Sequence, residues 1–521
     1  MATLNFNDDK LDELFPVPAP APSPLSPTRI PGVTSESSNA LAKVLKDNHR
    51  RWHAFFNDRG FHNHASHHMV AIFALGASGP LIEAAYDTHV AYMRPAYPSP
   101  EAISETNFYE HLGERDYYNA YLQFFTSKLL SKGVSETMEE YIFSRSANAG
   151  PALMLPRFLA TILHPMIHAG CGVEFGLLGL VAEGLAQATV HPAQAAGLMP
   201  LSLWDVKTHV DSRVNTLASR LSSLLPSLTL DRSARPKAEE PQSSNSNTGT
   251  HVFSILARIL HDDRFTPAAL GLPPPEAAAL HVLERVEKNV GEPLLKYIDE
   301  WTVDGADARD VEKKIEELAW MNALLYGVGG WAGRSAAPTG KFNADFFLMH
   351  LVTSSIFLPS LVAYLSPEST FLLLRTYLTV SLTWWVARGR PALPIKEFFT
   401  NTTAMPRQPG EPHNTPAQKA LTPAEPAPNP WLPIIQTTLV HPGEHLCKLQ
   451  RALAHFAVLY GARPKGHFSS FAEAGDPAAR LEGVEELDGS LFVRAAGLTA
   501  DRMGWMREGQ EEGEWDRVGF W

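Results

Sequence analysis

A chain of 521 residues, 45% hydrophobic and 19% charged, is long enough for two or three average domains or for one large helical body with an extensive core. Its formal net charge of −12, with no run of five or more lysines and arginines, excludes a dominant nucleic-acid surface and a polybasic membrane patch. The two cysteines, Cys171 and Cys447, cannot build a disulfide framework, and the acidic start MATLNFNDDK lacks the order of a signal peptide, so a reducing, cytoplasmic setting is expected.

In chain order, residues 1–38 are rich in Pro, Ser and Asp around PVPAPAPSPLSP and predict a disordered or extended arm, with a helical catalytic body over 39–521. Next comes GFHNHASHH, with His62, His64, His67 and His68 just before the apolar run MVAIFALGA. His64 can share a helical face with His67 or His68, and the lack of charge from 61 to 80 argues against a surface cluster. Ser135 ahead of Glu136 and Glu139 marks a helix start. A His-Pro-x-x-His unit follows at His164–His168, and a second stands at His441–His445. Composition alone gives about 0.07 such units, so two need a cause. Proline suits a first helical turn, so each unit places one histidine at a helix entrance and another one turn inside.

Residues 231–250 (RSARPKAEEPQSSNSNTGT at their core) read as a surface loop, and 400–430, with eight prolines, as another. His261–Asp262 is too isolated a pair to carry a function. Asp307 caps a helix whose stripe is Val311, Ile315, Leu318 and Leu325. Gly327–Ala332 (GVGGWA) matches a loose dinucleotide fingerprint, yet it follows a helix where a strand is required, and is read as a plain loop. The apolar stretches 346–365 and 370–387 are broken by His350, Thr353, Ser354, Ser355, Pro359 and Arg375, which suits buried helices better than membrane spans. Thr353 and Ser354 share the face of His350, a polar stripe that should line an internal cavity. Arg388, Arg390 and Lys396 suit either an anionic substrate or a helix end. The second unit predicts a helix from Pro442 to about Tyr460, stopped by Gly461, with His441, His445 and Lys448 on one stripe and Glu444 in the first turn. Lys448 could pair with Glu444, touch substrate, or bind a metal as a carbamate formed with CO₂. Only SLFVRAA, at 490–496, alternates like a strand, so the class is all-α.

Histidine-rich sites suit Fe, Zn, Cu or Ni. Residue types alone leave open His164 or His168, His441 or His445, and an iron oxygenase, a zinc hydrolase or a non-enzymatic helical binding protein with structural histidines.

The segments GFHNHASHH, ILHPMIHAGCGVEFGL, ADFFLMHLVTSSIFLPS, ARGRPALPI and HPGEHLCKLQRALAHFA, in this order, resemble the questin oxidase-like family, from about residue 40 to the tail LFVRAAGL…GW…WDRVGFW. The resemblance implies a Baeyer–Villiger-type or C–C-cleaving oxygenase that opens a ring of an anthraquinone- or xanthone-like polyketide with O₂ and, in some members, NADPH. Its motifs N-H, H-x-x-I-[HR], H-x-V-T and E-H-x-x-K fall on Asn63 and His64, on His164, on His350 with Thr353, and on Glu444, His445 and Lys448. That implies non-haem Fe(II) held by His64, His164, His350, His445 and a carbamylated Lys448, with Glu444 and Asn63 orienting the ligands.

Overall fold

The computed structural model describes residues 8–205, 249–274, 281–335, 340–410, 417–419, 421 and 428–521. Among them there is no strand, only three isolated β-bridges, and the all-α expectation holds. Most of the predicted 231–250 loop and much of 400–430 lie outside the described residues.

We number the ten helices that build the site and its supports: α1 Asp8–Leu14, α2 Ser35–Arg51, α3 Ala65–Ala74, α4 Ala160–Phe175, α5 Leu178–Val190, α6 Ala308–Ala332, α7 Phe346–Ser355, α8 Pro367–Ala387, α9 Glu444–Tyr460 and α10 Leu491–Met503. The helices α3, α4, α7 and α9 form a ring in which each packs on the next, and α2, α5, α6 and α10 support it from outside. These four are buried over most of their surfaces, with Val458 near the C-terminal end of α9 the clearest exception. Polar side chains on them must therefore satisfy each other. Close approach of α4 and α5 depends on Gly184, where a Cβ would lie 2.5 Å from the backbone nitrogen of Ala169.

Asp307 caps α6 through its carboxylate and the Arg309 amide, and α9 ends at Tyr460 with Gly461 after it, both as the sequence predicts. Four readings change. The proline-rich arm is not disordered over its described part: α1 buries Leu11 and Leu14, Phe15 packs edge-on against His49 with ring centroids 5.1 Å apart, and Ser26 is buried against Ser360. The GVGGWA segment is the end of α6 rather than a loop, because its glycines meet Ala495, Pro391 and the Asn343 carbonyl at close range. SLFVRAA opens α10, since Leu491, Phe492, Ala495 and Ala496 form a helical stripe in the core that outweighs a short alternation. The helix expected to start at Ser135 is a continuation: it resumes after a kink at Gly133, whose φ is +78°. The two apolar stretches divide into helices Phe346–Ser355, Leu358–Val362 and Pro367–Ala387, and no helix among the described residues is long and apolar enough to cross a membrane.

One buried ion pair fixes the chain around α7. Asp345 caps α7 through the amides of Phe347 and Leu348, and takes two hydrogen bonds from Arg388, at 3.0 Å from Nε and 2.6 Å from Nη2. Both side chains are fully buried, and Arg388 Nη2 also donates to the carbonyls of Arg517 and Val518. Breaking such a pair on one side strands a buried charge. Asp345→Ala is expected to lower unfolding stability by about 3–5 kcal/mol, read by denaturant titration; a loss under 1 kcal/mol would show that the pair is dispensable.

Candidate metal centre

His64 sits at the entrance of α3, the position from which a side chain can point back into the helix ring. It is set there by Asn63, whose Oδ1 accepts from the Ala65 amide at 3.0 Å and whose Nδ2 donates to Asn48 Oδ1 at 2.8 Å. His164 follows three consecutive left-handed residues, Thr161, Ile162 and Leu163, with φ of +49°, +57° and +66°. Two of these are β-branched, so the turn stores strain of about 1–3 kcal/mol per residue. It brings the Thr161 carbonyl round to accept from His164 Nδ1. His350 Nδ1 donates to the Phe346 carbonyl, one turn back on α7, at 2.6 Å. His445 lies in the first turn of α9, with Nδ1 3.0 Å from Glu444 Oε1; the same oxygen is 3.6 Å from His64 Nδ1.

Each ring thus has its Nδ1 next to an oxygen, and its Nε2 is left for the interior. The Nε2 atoms of His64 and His164 face each other at 2.9 Å. Ligand atoms of His64, His164 and His445 all lie within 4.8 Å of one another. The His350 ring is 4.9 Å from that of His164 and 5.0 Å from that of His445, centroid to centroid. His350 Nε2, His445 Nε2 and Lys448 Nζ are all buried with no hydrogen-bond partner. Three orphaned nitrogens on residues packed around this cluster need an explanation, and a cation supplies it. Two imidazoles at right angles, each about 2.1 Å from one ion, would hold their nitrogens about 3.0 Å apart, so the His64–His164 spacing fits. Nitrogen-rich donors point to Fe, Zn, Cu or Ni.

Electrostatics agree. Burial holds His64, His164 and His350 well below the usual histidine range, helped by Lys448 and the neighbouring rings. His445 is lowered to about 4 by burial and Lys448, despite Glu444. Burial also lowers Lys448, against the pull of Glu444. Burial would raise Glu444, but His445 and Lys448 outweigh it and hold the carboxyl well below its usual range. The result is uncharged imidazoles and one carboxylate, the protonation that metal binding demands.

The other motif histidines go elsewhere. His441 Nε2 is 3.2 Å from the Met503 carbonyl, and its Nδ1 accepts from the Gly443 amide. His62 stacks on His164 at 4.2 Å while its Nε2 meets His191 Nε2 at 2.6 Å. Thr353 keeps the face of His350, but its hydroxyl contacts Met349 Sδ at 3.8 Å and is not hydrogen-bonded to a donor histidine, so Thr353 is beside the centre without being tied to it. Arg390 bonds the carbonyls of Ile259 and Asp262, a helix-end role. Sequence reasoning missed a second network behind the first. Glu183 accepts from His49 Nδ1 at 2.6 Å and His168 Nε2 at 2.5 Å, and His168 Nδ1 lies 2.9 Å from His67 Nε2. Burial would raise Glu183, but those two histidines outweigh it and bring its carboxyl to about 2. The second histidine of the His164–His168 unit was the available signal; Glu183 itself stands in an apolar run with no motif around it.

With this geometry in place, comparison with known proteins is decisive for kinship. The family model described as questin oxidase-like matches residues 61–453, most of the chain and all the donors above. The chain belongs to the questin oxidase-like family. It is 34% identical to the Baeyer-Villiger monooxygenase AacuH of Aspergillus aculeatus over 63% of each chain. It is 25% identical to the Baeyer-Villiger oxidase ptaJ of Pestalotiopsis fici over 80% of each, and 24% identical to the questin oxidase of Aspergillus terreus over 84% of each. By this membership the chain is an oxidoreductase.

One measurement tests the centre and a second tests the protonation of other buried histidines. Stripping metal from purified protein is expected to lower its Tm by several degrees, and re-adding one divalent ion should restore it; an unchanged Tm would leave the orphaned nitrogens unexplained. Burial also lowers His53, His251 and His455, remote from the donors, to about 4 each. A folded value below the unfolded 6.5 means that stability is complete above pH 6.5 and is lost as pH falls towards 4, by about 1.4 kcal/mol per pH unit for each histidine. Unfolding free energy should therefore fall steeply from pH 6.5 to 5, and a flat profile would contradict these assignments.

Proposed function

We propose that this protein is a non-haem iron oxygenase that opens a ring of an anthraquinone- or xanthone-like aromatic polyketide. The observation that carries the proposal is the buried cluster of His64, His164 and His445, with the His350 ring packed on two of them and partnerless nitrogens on His350, His445 and Lys448, in a chain whose relatives are named as Baeyer-Villiger oxidases and questin oxidases. Iron held by these residues would supply binding and activation of O₂.

The protein's own residues do the rest. Thr161, Phe346 and Glu444 hold Nδ1 of His164, His350 and His445, so those rings keep one tautomer and one orientation. Burial keeps the donors uncharged and excludes water from the far side of the cluster. Burial lowers Lys448 and so favours the neutral amine that can add CO₂: its nitrogen would bond to carbon, a proton would leave, and the carbamate would give one anionic oxygen ligand among neutral imidazoles. Asn63 anchors the first turn of α3, and Thr353 lies on the His350 face of α7. When one oxygen atom enters the substrate and the other leaves as water, two electrons must come from a donor, for which NADPH is our choice. When both atoms enter, none is needed. The ratio of NADPH to O₂ consumed separates Baeyer–Villiger insertion from dioxygen cleavage.

The first test is iron content together with O₂ uptake on a hydroxylated anthraquinone. Stoichiometric iron and substrate-dependent uptake are expected; zinc in its place with no uptake would turn the reading to a hydrolase. His350→Ala should reduce iron content at least tenfold, since its Nε2 would have no substitute. Lys448→Ala should lose activity by two orders of magnitude or more and regain part of it with acetate or propionate, small acids able to replace the carbamate; loss without rescue would indicate that Lys448 acts as an amine.

A further inference from the structure

The edge of the centre that meets solvent carries a cation with no assigned task. His64 and His445 are each 7% exposed, against 5% for His164 and 0% for His350, so what exposure the donors have is greatest on the α3–α9 side. The C-terminal tail lies against that side, outside the span matched by the family model. Its position is fixed by the backbone of Asp516, which exchanges hydrogen bonds with α7 and the residues before it: Phe346 N donates to Asp516 O at 2.8 Å, and Asp516 N donates to Ala344 O at 3.0 Å. The Asp516 carboxylate takes the Ala344 amide and pairs with Arg502, and the buried Arg388 holds the next two carbonyls.

A tail pinned this firmly projects Trp515 and Arg517 to definite places. The Trp515 ring is 6.4 Å from His445. The Arg517 guanidinium lies 4.6 Å from the centroid of Phe346, whose ring packs on both His350 and His445 at 4.8 and 4.9 Å. Arg517 is exposed, and among the described residues it pairs with no carboxylate. An exposed arginine on a chain of net charge −12, stacked on the ring that packs against His350 and His445, offers a fork of N–H groups beside the donor cluster. Phe346 supplies the matching flat surface: an aromatic ligand can continue the stack while an anionic oxygen on its rim meets the guanidinium edge.

We propose that Arg517 is the specificity-determining residue for an anionic oxygen on a flat aromatic ligand, a phenolate of the substrate or the carboxylate set free when its ring opens. This rests on the aromatic-substrate reading above and adds to it the charge that the ligand must carry. Lysine would keep the charge but lose the planar fork, and alanine would lose both.

The test is equilibrium binding to the metal-loaded protein without O₂, with anthraquinone-2-carboxylate and its neutral carboxamide as probes. Wild type should bind the carboxylate about tenfold more tightly, a preference that shrinks at high salt. Arg517→Ala should bring the carboxylate to the level of the carboxamide without changing the carboxamide, and Arg517→Lys should fall between. A third probe, 2-hydroxyanthraquinone, assigns the source: binding that tightens as its hydroxyl ionises, in wild type only, places the substrate phenolate at Arg517, whereas a carboxylate preference alone places the product there. Equal binding of the charged and neutral probes by wild type, or a preference that survives in Arg517→Ala, would overturn the proposal while leaving the oxygenase reading intact. Failure of all the probes to bind would overturn both the proposal and the aromatic-substrate reading, with iron content and O₂ uptake as the separate check on the centre.

Discussion

Crowding histidines into a protein interior is tolerable only when each ring is uncharged and each outer nitrogen has an oxygen to meet. Four helices meet that constraint here in four different ways. A strained turn offers the carbonyl of Thr161, a regular turn of helix offers that of Phe346, and Glu444 serves His445 directly and His64 at longer range. What is left over is a set of Nε2 atoms with a common focus, and much of the surrounding architecture follows from keeping them there. The ring α3–α4–α7–α9 is closed, so no donor can move without its helix, and each helix is held from outside by another.

Strain and buried charge sit where this constraint is tightest. The left-handed run Thr161–Leu163 directly precedes His164, and the fully buried Arg388–Asp345 pair starts the helix that carries His350. The Glu183 network stands behind His67, itself edge-on to His64 at 5.5 Å. None of these would be chosen for stability alone, since a buried ion pair can often be replaced by apolar packing without loss. They make sense as devices that fix side-chain direction.

Helix content, the cap at Asp307 and the course of α9 were legible because hydrophobic period and capping chemistry act locally. The histidine units were legible for the same reason, and the family motifs then separated His164 from His168 and His445 from His441; the structure places His164 and His445 in one cluster, His168 on Glu183 and His441 by the Met503 carbonyl. Other features depended on distant partners. The glycines of GVGGWA serve packing against Asn343, Pro391 and Ala495, which nothing in the local segment reveals. The arm around α1 is ordered by burial of Leu11, Leu14 and Phe15 on α2 and α5, where composition alone suggested disorder. Glu183 stands in no motif and Arg517 only in the quoted tail WDRVGFW, and the significance of both comes from what surrounds them in three dimensions.

The order of the donors along the chain has a consequence for biosynthesis. The first imidazole is at position 64 and the last donor at 448, and the segment that shuts over α7 arrives only at 516–518. A nascent chain therefore carries its early histidines past the ribosome without the partners that would hold an ion. Under the proposed function, an ion would be held only once donors spread from position 64 to 448 have come together, so its loading would follow the synthesis of most of the chain.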